Sequence, residues 1–343
     1  MIPVPVVFKG VPGSPYTRKM LAYLRYRQIP YQLLIGMQAD AMGLPKPRVD
    51  LLPTFYLPND SGELEGVVDS TPLIRRFEAE CEGRAALPPD PALRFIDGLL
   101  EDFADEWMVK AMFHYRWYYD ADIEMAGSVL PFWRAIGQTP EQHEHSKRLF
   151  SERQISRLYV VGSNDTTAPV IEASYERLLD ILDALLQRQP FLMGARPGAS
   201  DFAVYAQLTQ LTHFDPTPAR LAVKRAPRVY AWTDIVDDLS GAPAPDNGWL
   251  SANDVRDALG ELLAEVGRGY VPALLANAQA LIAGEKQFAT TIDGRPWEQP
   301  TFPYQGKCLR WINEKYQALE PEDRQRVDAV LSSTGCEDVI VAA

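Results

Sequence analysis

Cysteine is scarce in this chain: three residues in 343, Cys81, Cys308 and Cys336, odd in number and far apart. That excludes a disulfide-stapled secreted scaffold and a cysteine-rich metal module, and it fits a reduced, cytoplasmic protein. Histidine is nearly as scarce, with four residues. Two of them, His143 and His145, are two positions apart and would point apart on a helix, so no zinc motif forms and no metal is expected. Basic charge is in deficit as well. Thirty-four Lys and Arg against 46 Asp and Glu leave a formal net charge of −12, which argues against a nucleic-acid surface, where clustered cations displace phosphate counterions. No apolar run approaches membrane-spanning length. The opening Met1-Ile2-Pro3-Val4-Pro5 has no basic region followed by an apolar stretch, so no secretory signal is visible.

What is present is a soluble globular composition, 46% hydrophobic and 23% charged, in a chain too long for one ordinary core. Two or three folding units are expected. The chain is organised around its first stretch. Val4, Val6, Val7 and Phe8 read as a strand, Gly10-Val11-Pro12-Gly13 as a tight turn, and Ser14-Pro15-Tyr16-Thr17 as the start of a helix carrying Met20, Leu21 and Leu24. Ser14 is a good N-cap and Pro15 suits the first helical position. A hydroxyl at a helix N-terminus sits where backbone N–H groups and the helix dipole favour an anion, so Ser14 is a candidate for stabilising a thiolate as well as a plain cap.

Tyr31 to Ile35 reads as a second strand, parallel to the first because a short helical crossover joins them. Pro45 and Pro47 break residues 39–50. Leu51 to Leu57 is a strand entered through Pro53, Pro58 to Gly62 a turn, and Val67-Val68 a further strand. Asp69-Ser70-Thr71-Pro72 then opens a helix through Ile74 and Phe77, with Asp69 or Ser70 as N-cap. A proline-rich linker, Leu87-Pro88-Pro89-Asp90-Pro91, separates this unit from a purely helical block. Ile96, Leu99, Leu100, Phe103, Trp107 and Ala111 give residues 92–118 one apolar face, ending in the aromatic run Phe113 to Tyr119. Further helices are expected at 139–159, 169–188, 199–213 and 227–239. Beyond them, 252–267, 271–284, 304–318 and 321–333 read as helices, and Gln287 to Trp297, with Asp293-Gly294 at its turn, as a hairpin. The expected units are 1–81, 92–243 and 244–343.

This order resembles the glutathione S-transferase superfamily. Gly13-Ser14-Pro15-Tyr16-Thr17 is similar to the Cys-Pro-Tyr-Cys turn of thioredoxin-like proteins with both cysteines replaced by hydroxyl residues, Leu52-Pro53 to the residue and cis-proline of that fold, and Val68-Asp69-Ser70-Thr71 to its acidic-Ser glutathione signature. Phe191-Leu192-Met193-Gly194 followed by Ala199-Ser200-Asp201-Phe202-Ala203 resembles the family's buried helix start, with Gly198 where a Ser or Thr cap usually stands, so the side-chain cap is absent and only a weaker glycine cap is expected. The resemblance covers about residues 1–240 and not 245–343. It implies a thioredoxin-like α/β domain with a mixed four-stranded sheet, then an all-α domain, here followed by a mainly helical extension with a small β-hairpin. That extension either covers the domain cleft or braces the α domain.

The resemblance implies glutathione as co-substrate. Asp69 suits the γ-glutamyl ammonium, Ser70 and Thr71 at a helix start its carboxylate, and Leu52 and Pro53 the cysteinyl backbone. Ser14 is the expected thiol-activating group, with Tyr16 and Thr17 as backups; Tyr16 is a glutathione-binding candidate or else packs, and Thr17 takes the place of the second cysteine. Arg48, or Lys46, is available for the glycyl carboxylate or is merely solvated. Trp107, Tyr115 and Arg116 are candidates for the electrophile pocket, Arg116 alternatively forming an ion pair with Asp102, Asp105 or Asp120. A serine in the turn cannot form a mixed disulfide, so the expected chemistry is conjugation or glutathione-dependent cleavage of a small hydrophobic electrophile. The alternatives are a non-catalytic glutathione-binding or scaffold protein and a glutathione-dependent isomerase. The resemblance also implies a homodimer.

Overall fold

The computed structural model describes residues 2–251 and 253–340. Position 252, where a helix was expected to begin, and the last three residues of the 244–343 extension lie outside the described residues. Strands β1 (Val6–Lys9), β2 (Tyr31–Leu34), β3 (Thr54–Pro58) and β4 (Leu64–Val67) form one sheet in the order β2-β1-β3-β4. β1 is parallel to β2, with Val6 beside Tyr31, and β3 is antiparallel to both β1 and β4. The sheet is therefore mixed and four-stranded, and the parallel pair follows from the crossover helix α1 (Pro15–Tyr26). On the opposite face from α1's side of the core, the short α2 (Gln38–Ala41) joins a small apolar group of Leu34, Ala39 and Tyr56. Helix α3 (Ser70–Glu80) buries Leu73, Ile74 and Phe77, and Phe55 stacks on Phe8 at 4.5 Å while meeting Phe77 edge-on at 5.6 Å.

The helical block contains α4 (Pro91–Phe103), α5 (Val109–Tyr118), α6 (Asp120–Val129), α7 (Pro140–Ile155), α8 (Ala168–Leu186), α9 (Ala199–Leu208), α10 (Pro216–Arg225) and α11 (Pro227–Asp237). The single helix expected over 92–118 is interrupted by a π-helical turn, Ala104–Met108, in which all five side chains are buried. Two helices, α6 and α10, were not expected from the sequence. In α6 only Asp122, Ala126 and Gly127 are buried, so there is no apolar stripe; α10 begins at Pro216, a first-turn position that tolerates proline.

The start of α9 corrects one expectation. Gly198 lacks a side-chain cap, yet the cap is supplied from another helix: Asp97 Oδ1, on α4, accepts from Ser200 N at 3.0 Å. A Cβ at Gly198 would lie 2.4 Å from that same oxygen, which is why glycine stands there. Asp201 adds two more bonds, accepting from Leu192 N at 2.7 Å and Gly198 N at 2.8 Å. Burial, with Glu101 nearby, pushes the Asp97 carboxyl up to about 6.

The extension comprises α12 (Val255–Glu265), α13 (Val271–Ile282), the hairpin β5 (Gln287–Ile292) and β6 (Arg295–Pro300), α14 (Pro303–Gln317) and α15 (Pro321–Leu331). It shares one continuous apolar core with the rest of the chain. Trp297 is fully buried 5.4 Å from Trp107, Tyr270 meets Phe103, and Tyr316 meets Phe95. Burying each such ring contributes on the order of 2 kcal/mol. Gln299 Oε1 accepts from the buried Lys110 at 3.0 Å, and burial draws that ammonium down to about 8. Helix α4 is packed by α9 and also by α14 and α15. Thus the architecture is a thioredoxin-like α/β unit, an all-α block and a mainly helical extension with a small hairpin.

Candidate active site

The turn before α1 is built by exclusion. A Cβ at Gly13 would lie 2.5 Å from Leu130 and 2.7 Å from Trp133, so the backbone passes directly beneath the α6–α7 connection. Ser14 is the N-cap, its Oγ accepting from Thr17 N at 3.2 Å, and Pro15 occupies the first turn as expected. The same hydroxyl donates to Leu52 O at 3.4 Å, long for an O–H···O bond and hence weakly held.

Three hydroxyls open the helix, and the structure sorts them. Thr17 is fully buried under Gly10, where its Oγ1 accepts from Val11 N at 3.4 Å. Tyr16 turns toward the helical block and donates to Asp105 O at 2.8 Å; burial, with Glu106 and Asp105 alongside, holds its phenol well above the usual range. Ser14 and Tyr16 are both half-buried, and of the three hydroxyls it is Ser14's that bonds to Leu52.

The Leu52–Pro53 peptide bond is cis. Across the sheet, Asp69 precedes α3 with φ +81°, a conformation that side-chain-bearing residues rarely adopt, and its carboxylate does not cap the helix. Instead Oδ2 accepts from the hydroxyl of Tyr304, in the extension, at 2.6 Å. Ser70 is buried at the helix start, and Thr71 Oγ1 joins a buried ionic network. In that network Lys19 Nζ lies 2.8 Å from Glu101 and 2.6 Å from Asp105, and Arg75 reaches Glu101 from the other side. Burial alone would discharge Lys19, but Asp105 and Glu101 hold its ammonium above the ordinary range; Glu101, despite burial, is drawn down to about 2 by Arg75 and Lys19. The network ties α1 and α3 to α4 and fixes the relative placement of Ser14 and Asp69.

The remaining expected site residues fall elsewhere. Arg48 and Lys46 are exposed in the proline-broken segment before Leu52. Trp107, Tyr115 and Arg116 are each about 97% enclosed. Trp107 donates to Ser174 Oγ at 2.9 Å and lines a cavity of only about 10 Å³, the lower limit for one water. Tyr115 stacks on Tyr119 and meets Tyr175 edge-on. The ion-pair alternative for Arg116 needs a different partner from those expected: Nε and Nη2 form a fork on Asp215, at 2.9 Å each. Arg116 Nη2 also donates to Gln210 Oε1 at 2.7 Å, and Nη1 to Gly13 O at 3.1 Å. Arg116 therefore braces the turn from below.

Trp133, Tyr304, Gln210 and Asp215 escaped sequence reasoning. Gln210 donates to Pro12 O at 3.2 Å and holds the other side of the turn. Trp133 stands 5.1 Å from Phe214 and half-exposed above Gly13. A tryptophan in a proline-bounded loop was the available signal. Among the described residues no group of three His, Cys, Asp or Glu is placed to hold a metal ion, and no helix is long and apolar enough to cross a membrane.

Residues 9–85 match the glutathione S-transferase N-terminal domain family and residues 152–234 the C-terminal domain family. No curated protein matches the sequence. Among solved structures, a Tau class glutathione S-transferase from mango, Mangifera indica, is 18% identical, covering 75% of this chain and 97% of its own, with a TM-score of 0.39. FzlA from C. crescentus is 15% identical over 74% of this chain and 98% of its own, with a TM-score of 0.39. A glutathione transferase from Burkholderia graminis, solved with two glutathione molecules per subunit, is 16% identical over 67% of this chain and 82% of its own, with a TM-score of 0.41. The two family matches take in both the Ser14 turn and the Asp201 helix start, and by them residues 9–85 and 152–234 belong to the glutathione S-transferase N-terminal and C-terminal domain families.

Proposed function

We propose that this protein binds glutathione between the Ser14 turn, the Leu52–Pro53 edge and the Asp69–Ser70 helix start, and activates its thiol for attack on a small hydrophobic electrophile. The observation that carries this reading is the position of Ser14. Its hydroxyl caps α1 and at the same time lies beside the Leu52 carbonyl, held there by a bond of 3.4 Å. A thiolate arriving beside Leu52 is a stronger acceptor than that carbonyl, so the hydroxyl swings to it at little cost. The helix N-terminus supplies a further positive potential, and the thiolate is the nucleophile for conjugation or reductive cleavage. In this reading Tyr16 contributes through the packing of the turn, and Arg48 takes the glycyl carboxylate when the exposed loop folds in. Trp133, above Gly13, is a natural wall for the electrophile.

The same reading divides the chain into a glutathione-binding unit at 1–81, a substrate unit at 92–243 and an extension at 244–343, in a cytoplasmic protein whose three cysteines are unpaired. A homodimer belongs to it as well. The second copy must then meet a surface other than α4, which α9, α14 and α15 already pack. One observation favours the non-catalytic alternative: Trp107, Tyr115 and Arg116 are enclosed in the core rather than facing an electrophile. Calorimetry with glutathione tests the reading, since no binding at millimolar ligand refutes it. An electrophile panel then separates conjugation, which consumes glutathione, from isomerisation, which returns it, and from binding alone.

A further inference from the structure

The extension reaches back to the N-terminal unit through one side chain. Tyr304, in the first turn of α14, donates to Asp69 Oδ2 at 2.6 Å across 235 positions of sequence. Asp69 makes this contact from an unusual backbone, φ +81°, and its side chain gives no cap to α3. Tyr304 is itself held from several directions. Asn277, fully buried, clamps the preceding Phe302: its Oδ1 accepts from Phe302 N at 2.8 Å and its Nδ2 donates to Phe302 O at 3.0 Å. The next residue, Gln305, donates to Glu106 O at 3.3 Å. The Tyr304 ring meets Trp311 edge-on at 6.1 Å, with Lys307 Nζ 5.4 Å from its centre. A side chain tied in this many places is a fixed wall and not a flap.

We infer that Tyr304 is a specificity-determining residue that orients the Asp69 carboxylate toward the ammonium of a γ-glutamyl arm, an inference that rests on the glutathione reading above. A carboxylate offers about four lone-pair directions. Tyr304 takes one on Oδ2, and among the described residues no hydrogen bond reaches Oδ1. A neutral hydroxyl fixes the rotation of the carboxylate without neutralising it, whereas a Lys or Arg in that place would cancel the charge the ammonium needs. The anion is thereby set before the ligand arrives. Residue 304 lies outside both matched regions, 9–85 and 152–234, so this contribution comes from the part of the chain that the family domains do not include.

The test is calorimetry on the full chain with glutathione and with the same tripeptide lacking the γ-glutamyl amine. Wild type should prefer glutathione. Tyr304→Phe, which keeps the ring on Trp311, should weaken glutathione about tenfold, the scale of a charge-assisted hydrogen bond, and leave the amine-free analogue unchanged. Asp69→Asn should abolish the preference, and thermal melts should show both variants folded. Tighter glutathione binding by Tyr304→Phe overturns the inference, because Tyr304 would then be a competitor for Asp69. An unchanged preference overturns it too. A wild-type protein that binds neither ligand removes the glutathione reading itself, and this inference with it.

Discussion

Replacing Ser14 separates its capping role from the proposed thiol contact, because alanine and glycine differ in the first and not in the second. Both remove the hydroxyl. Alanine at an N-cap costs about 1 kcal/mol, whereas glycine costs only a few tenths. The backbone at Ser14, φ −95° and ψ 117°, accepts either residue without strain. Ser14→Ala should therefore lower the melting temperature by about 2 °C, and Ser14→Gly by well under that. The thiol behaves differently. A hydroxyl donating to a thiolate is a hydrogen bond to a charged group, about 1.5–3 kcal/mol, and so holds the bound thiol about one to two pKa units lower than it would otherwise be. Both variants should raise that pKa equally, toward the free value of about 8.5. At neutral pH kcat/KM then falls about eight- to twenty-five-fold, and it recovers as pH rises.

The assay is the ultraviolet absorbance of thiolate in the protein–glutathione complex, titrated for wild type, Ser14→Ala and Ser14→Gly, with melts in parallel. If thiolate is lost in proportion to melting temperature, strongly for alanine and weakly for glycine, Ser14 acts only as a cap. A glycine variant whose titration midpoint stays within about 0.3 units of wild type, less than a single hydrogen bond gives, would falsify the catalytic role outright.

Three further outcomes follow from the packing. The Asp97 carboxyl is pushed up from 3.8 to about 6, so the folded state holds a proton that the unfolded chain releases across that window, and stability falls as pH rises through it; Asp97→Asn, which still offers Oδ1 to Ser200 N, should flatten the melting profile between about pH 4 and 6 and leave it parallel to wild type above. Arg116→Met leaves the buried Asp215 uncompensated and should cost about 3–5 kcal/mol in denaturant unfolding, with Arg116→Met/Asp215→Asn recovering part of it; no coupling between the two would refute the fork. Trp297→Ala should cost about 3–5 kcal/mol, whereas a loss near zero would mean the extension is a detachable arm and not part of the core.

Most regular elements were legible because their signals are local. Helix α1 announces itself through Ser14, Pro15 and the 3–4 spacing of Met20, Leu21 and Leu24. The hairpin follows from Asp293-Gly294, both of which have positive φ in the structure, at +51° and +71°. The fold class followed from the order of such elements. Contacts between elements left no comparable trace. Arg116 was matched to the acids nearest in sequence, yet its partner is Asp215, 99 positions on, since helical periodicity says which face a residue occupies and nothing of what another helix brings to that face. Tyr16 read as one hydroxyl among three until its bond to Asp105 separated it from Ser14.

Gly198 makes the same point in the opposite direction. In sequence it is a missing cap, a defect at the start of α9. In space Asp97 already occupies the position a capping side chain would take, 2.4 Å from where a Cβ would stand, and accepts from the Ser200 N–H that such a cap would have served. The capping requirement is set by unsatisfied N–H groups, and these do not distinguish an oxygen from the preceding residue from one delivered by a neighbouring helix. A local cap can therefore be lost wherever a long-range one is present, and the substitution that looks restorative, Gly198→Ser, collides with the group that made it unnecessary. Asp69 and Tyr304 stand in the same relation. The carboxylate that local rules assign to its own helix makes no cap bond there and is held instead by a tyrosine 235 residues away.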